Sequence, residues 1–335
     1  MLERRTLGIP ALLPIKRLLI VLPKEARSQV FINDEIEVRV RADTKWGNMR
    51  VGQEVSLHDL VDICGVEFNQ IGSQDGWALM WHDGRRYQLW FDFVSSFRVS
   101  DDDPERRRSF EDAFLRFIWQ TWLGPSLELD GNAAKALEDQ GWWPAVALLP
   151  HPWAQMVHRV TSVGVPDAER CALDFFTADR LDALVSRWQA SSHFTAHADV
   201  IAVGLEAYKA GNYIAAVSVL VPRVEGVLTT VALKHDQTLA SLARHQDRAP
   251  FVRRIAALAS TEGVIRSEAV SRYAQYLERV YFGRFDWRNS LAGQRSRSRH
   301  ALAHGAQSDF DQVLALQAIL ALDSAFFLID KSGLA

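Results

Sequence analysis

The stretch that decides the fold is Tyr213–His235, which reads YIAAVSVLVPRVEGVLTTVALKH. Its apolar residues recur at helical spacing, and Asn212 immediately before it is a favoured N-cap residue. Pro222 lies inside the pattern and predicts a kink, because proline removes one N–H donor from the helix ladder. We therefore expect a long, kinked helix over these residues.

Helical patterns also lie on both sides of this stretch. VIAVGLEAYKAG precedes it and ends at Gly211, while RAPFVRRIAALAS and SEAVSRYAQYLERVYFG follow it. The last pattern, SDFDQVLALQAILALDSAFFLID, has Ser308 as its expected cap and a wide apolar face. Because this half shows no hairpin-turn signal of the Asn-Gly type, residues 196–335 are predicted to form an antiparallel helical bundle.

The N-terminal part of the chain has the pattern of strands instead. RLLIVLP and VFIN are short apolar runs, and EIEVRVRA alternates apolar with charged residues. WALMWHDGRRYQLWF predicts a hairpin that turns at Asp83-Gly84. We expect its aromatic residues to form a sheet core, with a surface that stacks bases or packs a partner as the alternative. Residues 1–103 are predicted to be a β-rich domain that senses a signal or binds a partner.

A connector is expected between these two parts. SDDDPERRR is typical of a linker, and GWWPAVALLPHPW combines tryptophans and prolines in the manner of a packed joining segment. Helical patterns, SFEDAFLRFIWQTWLG and TADRLDALVSRWQ, lie on either side of the tryptophan-rich segment. Residues 104–195 are therefore predicted to be a helical, Trp/Pro-rich connector. The fold class is α+β, with a β-rich domain, a helical connector and a C-terminal antiparallel helical bundle.

Composition excludes some classes of protein. The chain has 335 residues, 48% hydrophobic and 24% charged, with a net charge of −3; these values are ordinary for a soluble globular protein. Since no global basic field exists, any nucleic-acid site must be local. Two cysteines in unrelated sequence, Cys64 and Cys171, fit a reducing compartment. We find no signal-peptide pattern and no run near the ~20 apolar residues of a membrane span, so a cytoplasmic protein without membrane contact is expected.

The best candidate for chemistry is Arg295–Gly305, which reads RSRSRHALAHG. Arginine presents a planar fork that matches phosphate oxygens, and histidine can take and give a proton near neutral pH. Metal-free cleavage of RNA needs these groups: a base for the 2′-OH proton, a cation at the phosphate and an acid for the leaving oxygen. The pair is Arg299 and His304, and we expect Arg295 and Arg297 in the same basic run to bind substrate phosphates.

This motif carries a family resemblance. RSRHALAHG resembles the Arg-x(4–6)-His signature of HEPN domains, which are helical bundles found in many bacterial toxins and phage-defence ribonucleases. VPRVEG, at 221–226, resembles the P-x-x-E-G step of a bacterial branch of that superfamily. The resemblance covers about 196–335 and implies a metal-independent endoribonuclease of a defence or toxin system. It places Arg299 and His304 in catalysis, with His300 as the polar residue beside the motif arginine.

The resemblance also implies a homodimer that binds RNA. HEPN ribonucleases usually act as dimers, so two copies of His304 would supply the acid and the base in one cleft. Glu225 matches the acid of the upstream helix and is expected to be buried and paired with Arg299 or Arg288. If Glu225 occupies Arg299 fully, the alternative is a non-catalytic dimerisation scaffold whose β-rich domain binds a ligand or a regulatory protein.

Other chemistry has less support in the sequence. His193 with His197, and His300 with His304, are spaced to share a helix face and could hold a metal, but neither pair belongs to a fuller metal-binding signature. For the first pair we expect exposed or hydrogen-bonded rings at a helix start. No Gly-rich phosphate loop and no GxSxG elbow is present. We therefore expect neither a metal nor another cofactor.

Overall fold

The computed structural model of the chain describes residues 16–23, 26–45, 59–71, 75–81, 89–92, 131–149, 151–189, 191, 193–235, 237–244, 248–259, 264–283, 299–303 and 310–332. The chain divides into two compact units. The first comprises residues 1–41 and 63–122, and the second comprises residues 42–62 and 123–335. Residues from both the predicted connector and the predicted bundle belong to the second unit.

The first unit contains a four-stranded antiparallel sheet with the order β2-β1-β5-β6. Its strands are β1 Arg17–Leu22, β2 Gln29–Ile32, β5 Gly76–Trp81 and β6 Leu89–Asp92. The central strand β1 is buried on both faces, with Leu18 on one and Leu19 on the other. This explains why its sequence is a continuous apolar run and does not alternate with polar residues.

Two further strands form a separate ribbon, β3 Val38–Thr44 with β4 Leu60–Phe68. Backbone hydrogen bonds extend the pairing beyond both strand ends. The N–H of Asn69 donates to the carbonyl of Glu37 at 3.2 Å, and the N–H of Lys45 donates to the carbonyl of Asp59 at 2.8 Å. Residues 42–45 and 59–62 of this ribbon belong to the second unit, so Lys45 lies with the helices.

The predicted hairpin is confirmed in its strands, since β5 and β6 pair antiparallel. The observed register sets Trp81 opposite Leu89 and Leu79 opposite Phe91. The turn itself lies outside the described residues. Leu79 is fully buried, as expected for a sheet core.

The second unit is helical. Its helices are α1 Gly131–Asp139, α2 His151–Ser162, α3 Val165–Phe175, α4 Ala178–Gln189, α5 Ala198–Lys209, α6 Tyr213–His235, α7 Gln237–Arg244, α8 Ala249–Leu258, α9 Val264–Tyr276, α10 Arg299–Ala303 and α11 Gln312–Lys331. A π-helical turn, Leu277–Tyr281, continues α9. The long helix predicted from the opening stretch is α6, and it continues through Pro222.

The C-terminal helix α11 is the core of the second unit, since it packs against α6 and five other helices. Its buried face includes both apolar and polar side chains. Tyr273 donates a hydrogen bond to the Ala321 carbonyl at 2.7 Å, and the Trp143 indole donates to Ser324 Oγ at 3.3 Å. Asp323 is also fully buried on this helix. The tryptophan of the predicted connector is thus packed into the helical core.

Several predictions about element ends can be compared with the structure. Ser308, the expected cap of α11, lies outside the described residues, and the observed N-cap is Asp311, whose carboxylate accepts from the Leu314 N–H at 2.8 Å. The polar run and helical pattern expected at 101–124 are also outside them. Within the predicted connector, α2 and α3 form a helix pair that we did not predict. The mostly helical α+β class is confirmed.

Two helices are long and apolar enough to span a membrane by length and composition, so our expectation that no run approaches that limit was too strict. They are Tyr213–Lys234 and Gln312–Asp330. In the second, 89% of the apolar window is buried inside the protein, as in the core helix of a soluble protein. In the first the buried share is 44%. Length and composition are weak evidence for a membrane span, and the structure is compatible with a soluble protein.

Candidate functional site

The structure describes three of the predicted site residues. Arg299 begins α10, His300 follows it and is half-buried, and Glu225 lies on α6, against which α10 packs. The other predicted site residues lie outside the described residues: His304, Arg288, Arg295 and Arg297. The described part of the candidate site is therefore the arginine half of the motif with its carboxylate.

Glu225 is the centre of this site and binds two arginines. Arg299 Nη1 pairs with Glu225 Oε2, and Arg248 Nη2 donates to Glu225 Oε1 at 3.0 Å. All three side chains are largely buried, with exposed fractions of 24% for Arg299, 17% for Arg248 and 19% for Glu225. One negative charge thus faces two positive charges, and the three groups together carry a net positive charge.

A tyrosine holds the backbone of Glu225 in place. The Tyr281 hydroxyl accepts from the Glu225 N–H at 3.3 Å and donates to the Val221 carbonyl at 2.6 Å. An uninterrupted helix would pair these two backbone groups with each other, so the hydroxyl bridges the α6 ladder at this point. Pro222 lies within the same turn and has no N–H to donate. Burial raises the pKa of Tyr281 well above its usual value, so the hydroxyl stays protonated and can donate.

The two guanidinium groups have unused donors. Within the part of the chain that the structure describes, Arg299 Nε and Arg248 Nε and Nη1 are buried and have no hydrogen-bond partner. The Arg299 guanidinium also lies over the ring of Phe282, with Cζ 5.3 Å from the ring centroid. Burial lowers the pKa of both arginines from its ordinary value, although a guanidinium remains charged at neutral pH. The site therefore offers positive charge and free N–H donors in a partly dry setting.

His193 and His197, the other spaced histidine pair, lie at a helix start as expected, but both are buried, so the alternative of exposed rings is wrong. His197 ends a short 3₁₀ turn before α5. Burial lowers the pKa of His197, and Arg223, Lys234 and His193 lower it further through their charge. Among the residues that the structure describes, no group of three or more His, Cys, Asp or Glu side chains is arranged to hold a metal ion.

A second charged cluster surrounds Lys45, whose side chain is fully buried. Its ammonium lies 5.2 Å from the Phe175 ring centroid and has no hydrogen-bond partner. Burial is the main cause that lowers its pKa to about 7; Arg180 and Arg187 lower it further, while Asp59 opposes them. Since this group is enclosed, we interpret the cluster as part of the packing of the ribbon end.

Arg187 connects that cluster to the core helix. It donates to the Lys45 carbonyl and pairs with the fully buried Asp323, whose Oδ1 also accepts from the Trp188 indole at 2.7 Å. The ion pair and the indole donor stabilise a carboxylate that would otherwise be costly to bury.

A surface groove lies between α2 and α3. It has a volume of about 300 Å³ and is lined by Gln155, Arg159, Asp167, Arg170, Cys171, Asp174 and Phe175. Cys171 is the one sulfur-containing residue among those that line the groove. Burial raises the pKa of its thiol, and the charges of Asp174 and Asp167 raise this pKa further. A thiol with a raised pKa is a poor nucleophile near neutral pH, so this groove has no evident covalent chemistry.

Sequence reasoning missed Arg248 and Tyr281. Both lie inside helical patterns that we recognised, RAPFVRRIAALAS and SEAVSRYAQYLERVYFG, but nothing local distinguishes them. Arg248 is separated from Glu225 by 23 positions and Tyr281 from Glu225 by 56. Only the packing of the helices brings them together.

Comparisons with known proteins found no relative of this chain. A scan against protein-family models matched no family, and searches of curated proteins and of solved structures found no similar chain. The fold and the site therefore define the class as far as it is established: a mostly helical α+β protein with a partly buried arginine–carboxylate cluster in its helical unit.

Proposed function

We propose that this protein is a metal-independent endoribonuclease of the HEPN type, which binds RNA at the Arg299–Glu225–Arg248 cluster and cuts it with the Arg299 and His304 motif. The observation that supports the proposal is the excess of positive charge: two guanidinium groups share one carboxylate. Such a cluster attracts a phosphate even in a chain of net negative charge, because the charge is local.

In the proposed reaction Arg299 stabilises charge and histidines move protons. A neutral imidazole removes the proton from the 2′-OH, and the 2′ oxygen then bonds to phosphorus. A protonated imidazole gives a proton to the 5′ oxygen as its bond to phosphorus breaks. Since one motif has one His304, two subunits supply the two imidazoles in a homodimer. Arg295 and Arg297 are proposed to bind flanking phosphates, with His300 beside them.

The setting of the reaction is proposed as well. The protein would act in the cytoplasm, in bacterial defence or as a toxin, with the β-rich part recognising a signal or a regulatory partner. These assignments depend on the family resemblance of residues 196–335. The structure and the comparisons leave them as proposals.

A second candidate is a non-catalytic scaffold. It is favoured by the close pairing of Glu225 with Arg299, which uses part of the motif arginine for an internal ion pair. Four large apolar residues on α5 and α6 are also exposed: Val200, Val203, Ile214 and Leu233. In this case the helical unit would serve dimerisation, and the cluster would only hold helices together.

Cleavage of RNA in EDTA separates the two candidates. Purified protein would be incubated with mixed RNA, in parallel with Arg299→Ala, His304→Ala and an Arg253→Ala control. Arg253 is a 69% exposed arginine whose carboxylate partner is Glu278. The nuclease proposal expects cleavage by the parent and the control but not by the other two variants. Absence of cleavage by the parent would contradict it.

The scaffold candidate predicts a different set of results. The parent would form dimers in analytical ultracentrifugation without cutting RNA. Arg299→Ala would lower the melting temperature, because it leaves the Glu225 carboxylate with one partner fewer. Loss of cutting with an unchanged melting temperature would instead favour the nuclease.

A further inference from the structure

Arg248 is the feature of the site that the family motif does not explain. It precedes α8 and reaches Glu225 at 3.0 Å, so the two carboxylate oxygens each face one guanidinium. Each oxygen of the carboxylate then has a guanidinium partner. One of the two positive charges still has no counter-ion among these three groups. A partly buried charge without a counter-ion is unfavourable, and the remaining charge favours an anion.

The free donors of the two arginines suggest what completes the site. An arginine has five N–H donors, and buried donors in proteins are usually satisfied. Here three buried nitrogens have no hydrogen-bond partner, Arg248 Nε and Nη1 and Arg299 Nε. All three nitrogens belong to two guanidiniums that already share Glu225. We therefore expect these guanidiniums to bind one further hydrogen-bond acceptor.

We propose that Arg248 and Arg299 together bind one phosphodiester of single-stranded RNA, with Glu225 as the internal counter-ion that holds both guanidiniums in position when no RNA is bound. The assignment of RNA as the source of the phosphate rests on the function proposed above. A phosphodiester carries one negative charge, which matches the one uncompensated charge of the cluster. Its oxygens are the acceptors that a guanidinium fork binds best. Arg248 is thus a substrate-binding residue, whereas Glu225 is a positioning residue.

The surroundings of the cluster agree with this assignment. Phe282 lies against the Arg299 guanidinium, so a ligand has to approach its N–H edge and not that face. The Tyr281 hydroxyl accepts from the Glu225 N–H and donates to the Val221 carbonyl, which fixes the backbone of α6 at the residue that carries the carboxylate. The Arg248 and Arg299 side chains retain exposed fractions of 17% and 24%. Their unpaired nitrogens are themselves buried, so a phosphate reaches these nitrogens only when the two side chains shift.

Binding of an uncleavable RNA tests the proposal independently of cleavage. A short, fluorescent 2′-O-methyl oligonucleotide has no 2′-OH to attack, so its anisotropy reports binding alone. Titrations over a salt series would compare the parent with Arg248→Ala and with Arg253→Ala as the matched arginine control. We expect Arg248→Ala to weaken binding about tenfold or more. Its salt slope should fall by about 0.7, the value for one lost contact to single-stranded RNA. The control should bind like the parent.

Two further variants keep the test decisive if Arg248→Ala fails to fold. Arg248→Lys keeps the charge beside Glu225 but loses the planar fork, so it should retain the salt slope and bind several-fold more weakly. Glu225→Gln removes the competing carboxylate, so it should bind several-fold more tightly. Circular dichroism would establish that each variant is folded.

The outcomes separate this proposal from the proposed function. If folded Arg248 variants bind with the parent's affinity and salt slope, or if the parent does not bind, the arginine pair is not a phosphate site. If binding depends on Arg248 but the parent never cuts ordinary RNA, the pair is supported and the nuclease proposal fails. If the parent cuts RNA while Arg248 variants bind normally, the nuclease survives and the role of Arg248 is overturned.

Discussion

Replacing the buried Lys45 by methionine should change how stability depends on pH. Burial lowers the pKa of the Lys45 ammonium from 10.5 to about 7 in the folded protein. Between these two values the unfolded chain binds a proton at Lys45 and the folded chain does not. Stability therefore rises with pH through this interval, and the gain is lost as the pH falls toward 7. Methionine binds no proton at this position, so the stability of Lys45→Met should not show this rise with pH.

The size of the expected change in stability follows from the difference between the two pKa values of Lys45. At about 1.4 kcal/mol for each pH unit, the change from 10.5 to about 7 corresponds to about 5 kcal/mol. The side chain is fully buried, so solvent does not screen this cost. Between pH 7 and pH 10 we expect the parent to gain about 4 kcal/mol relative to Lys45→Met, with a slope of about 1.4 kcal/mol per pH unit.

Urea unfolding followed by tryptophan fluorescence, at intervals from pH 6 to pH 10, would measure the difference. Lys209→Met is the matched control, because Lys209 pairs with Asp182 at 2.7 Å near the surface. The hydrogen bond to Asp182 raises the pKa of Lys209, so its contribution is fully present below pH 10.5 and the control difference should stay flat. A flat difference for Lys45→Met would refute the reasoning, since it would mean that the ammonium keeps its proton in the folded protein.

Two predictions concern the core of the helical unit. Asp323→Asn removes the fully buried charge that pairs with Arg187, so it should lower the free energy of unfolding by about 3 kcal/mol in urea denaturation. Gly204→Ala should lower it by about 1–3 kcal/mol in the same assay. The physical reason is that a Cβ at Gly204 would lie 2.6 Å from Leu220 Cδ2, where α5 and α6 approach each other closely.

Each of these variants has a control on the same chain. Asp330→Asn changes an exposed carboxylate on α11 that accepts from Ser191, and it should alter stability little. Gly131→Ala adds a Cβ that meets nothing within 4 Å, so it should be neutral or slightly stabilising. If a core variant and its control behaved alike, burial or close approach would not be the cause.

The contact between Arg299 and Glu225 could be predicted from the sequence, because both residues lie in the motifs that carry the family resemblance. Arg299 and Glu225 were identified from RSRHALAHG and VPRVEG, and the structure places the two side chains in contact. Arg248 was not identified. An arginine before a helix has no local mark of function, and its role depends on a carboxylate 23 positions away.

The sequence by itself determined individual elements such as the strand β1 and the helix α6. The continuous apolar run of β1 and the helical spacing of Tyr213–His235 are patterns of neighbouring residues, and the structure has both elements. Such periodicities are local, since a strand repeats every two residues and a helix every 3.6.

Only the tertiary structure decided which charges meet. Arg187 reaches the Lys45 carbonyl across 142 positions and Asp323 across 136, and Tyr281 reaches Val221 across 60. Ion pairs and buried hydrogen bonds depend on distance and desolvation in the folded protein, which no local pattern encodes. The excess positive charge at Glu225, on which the proposed function depends, arises in this way.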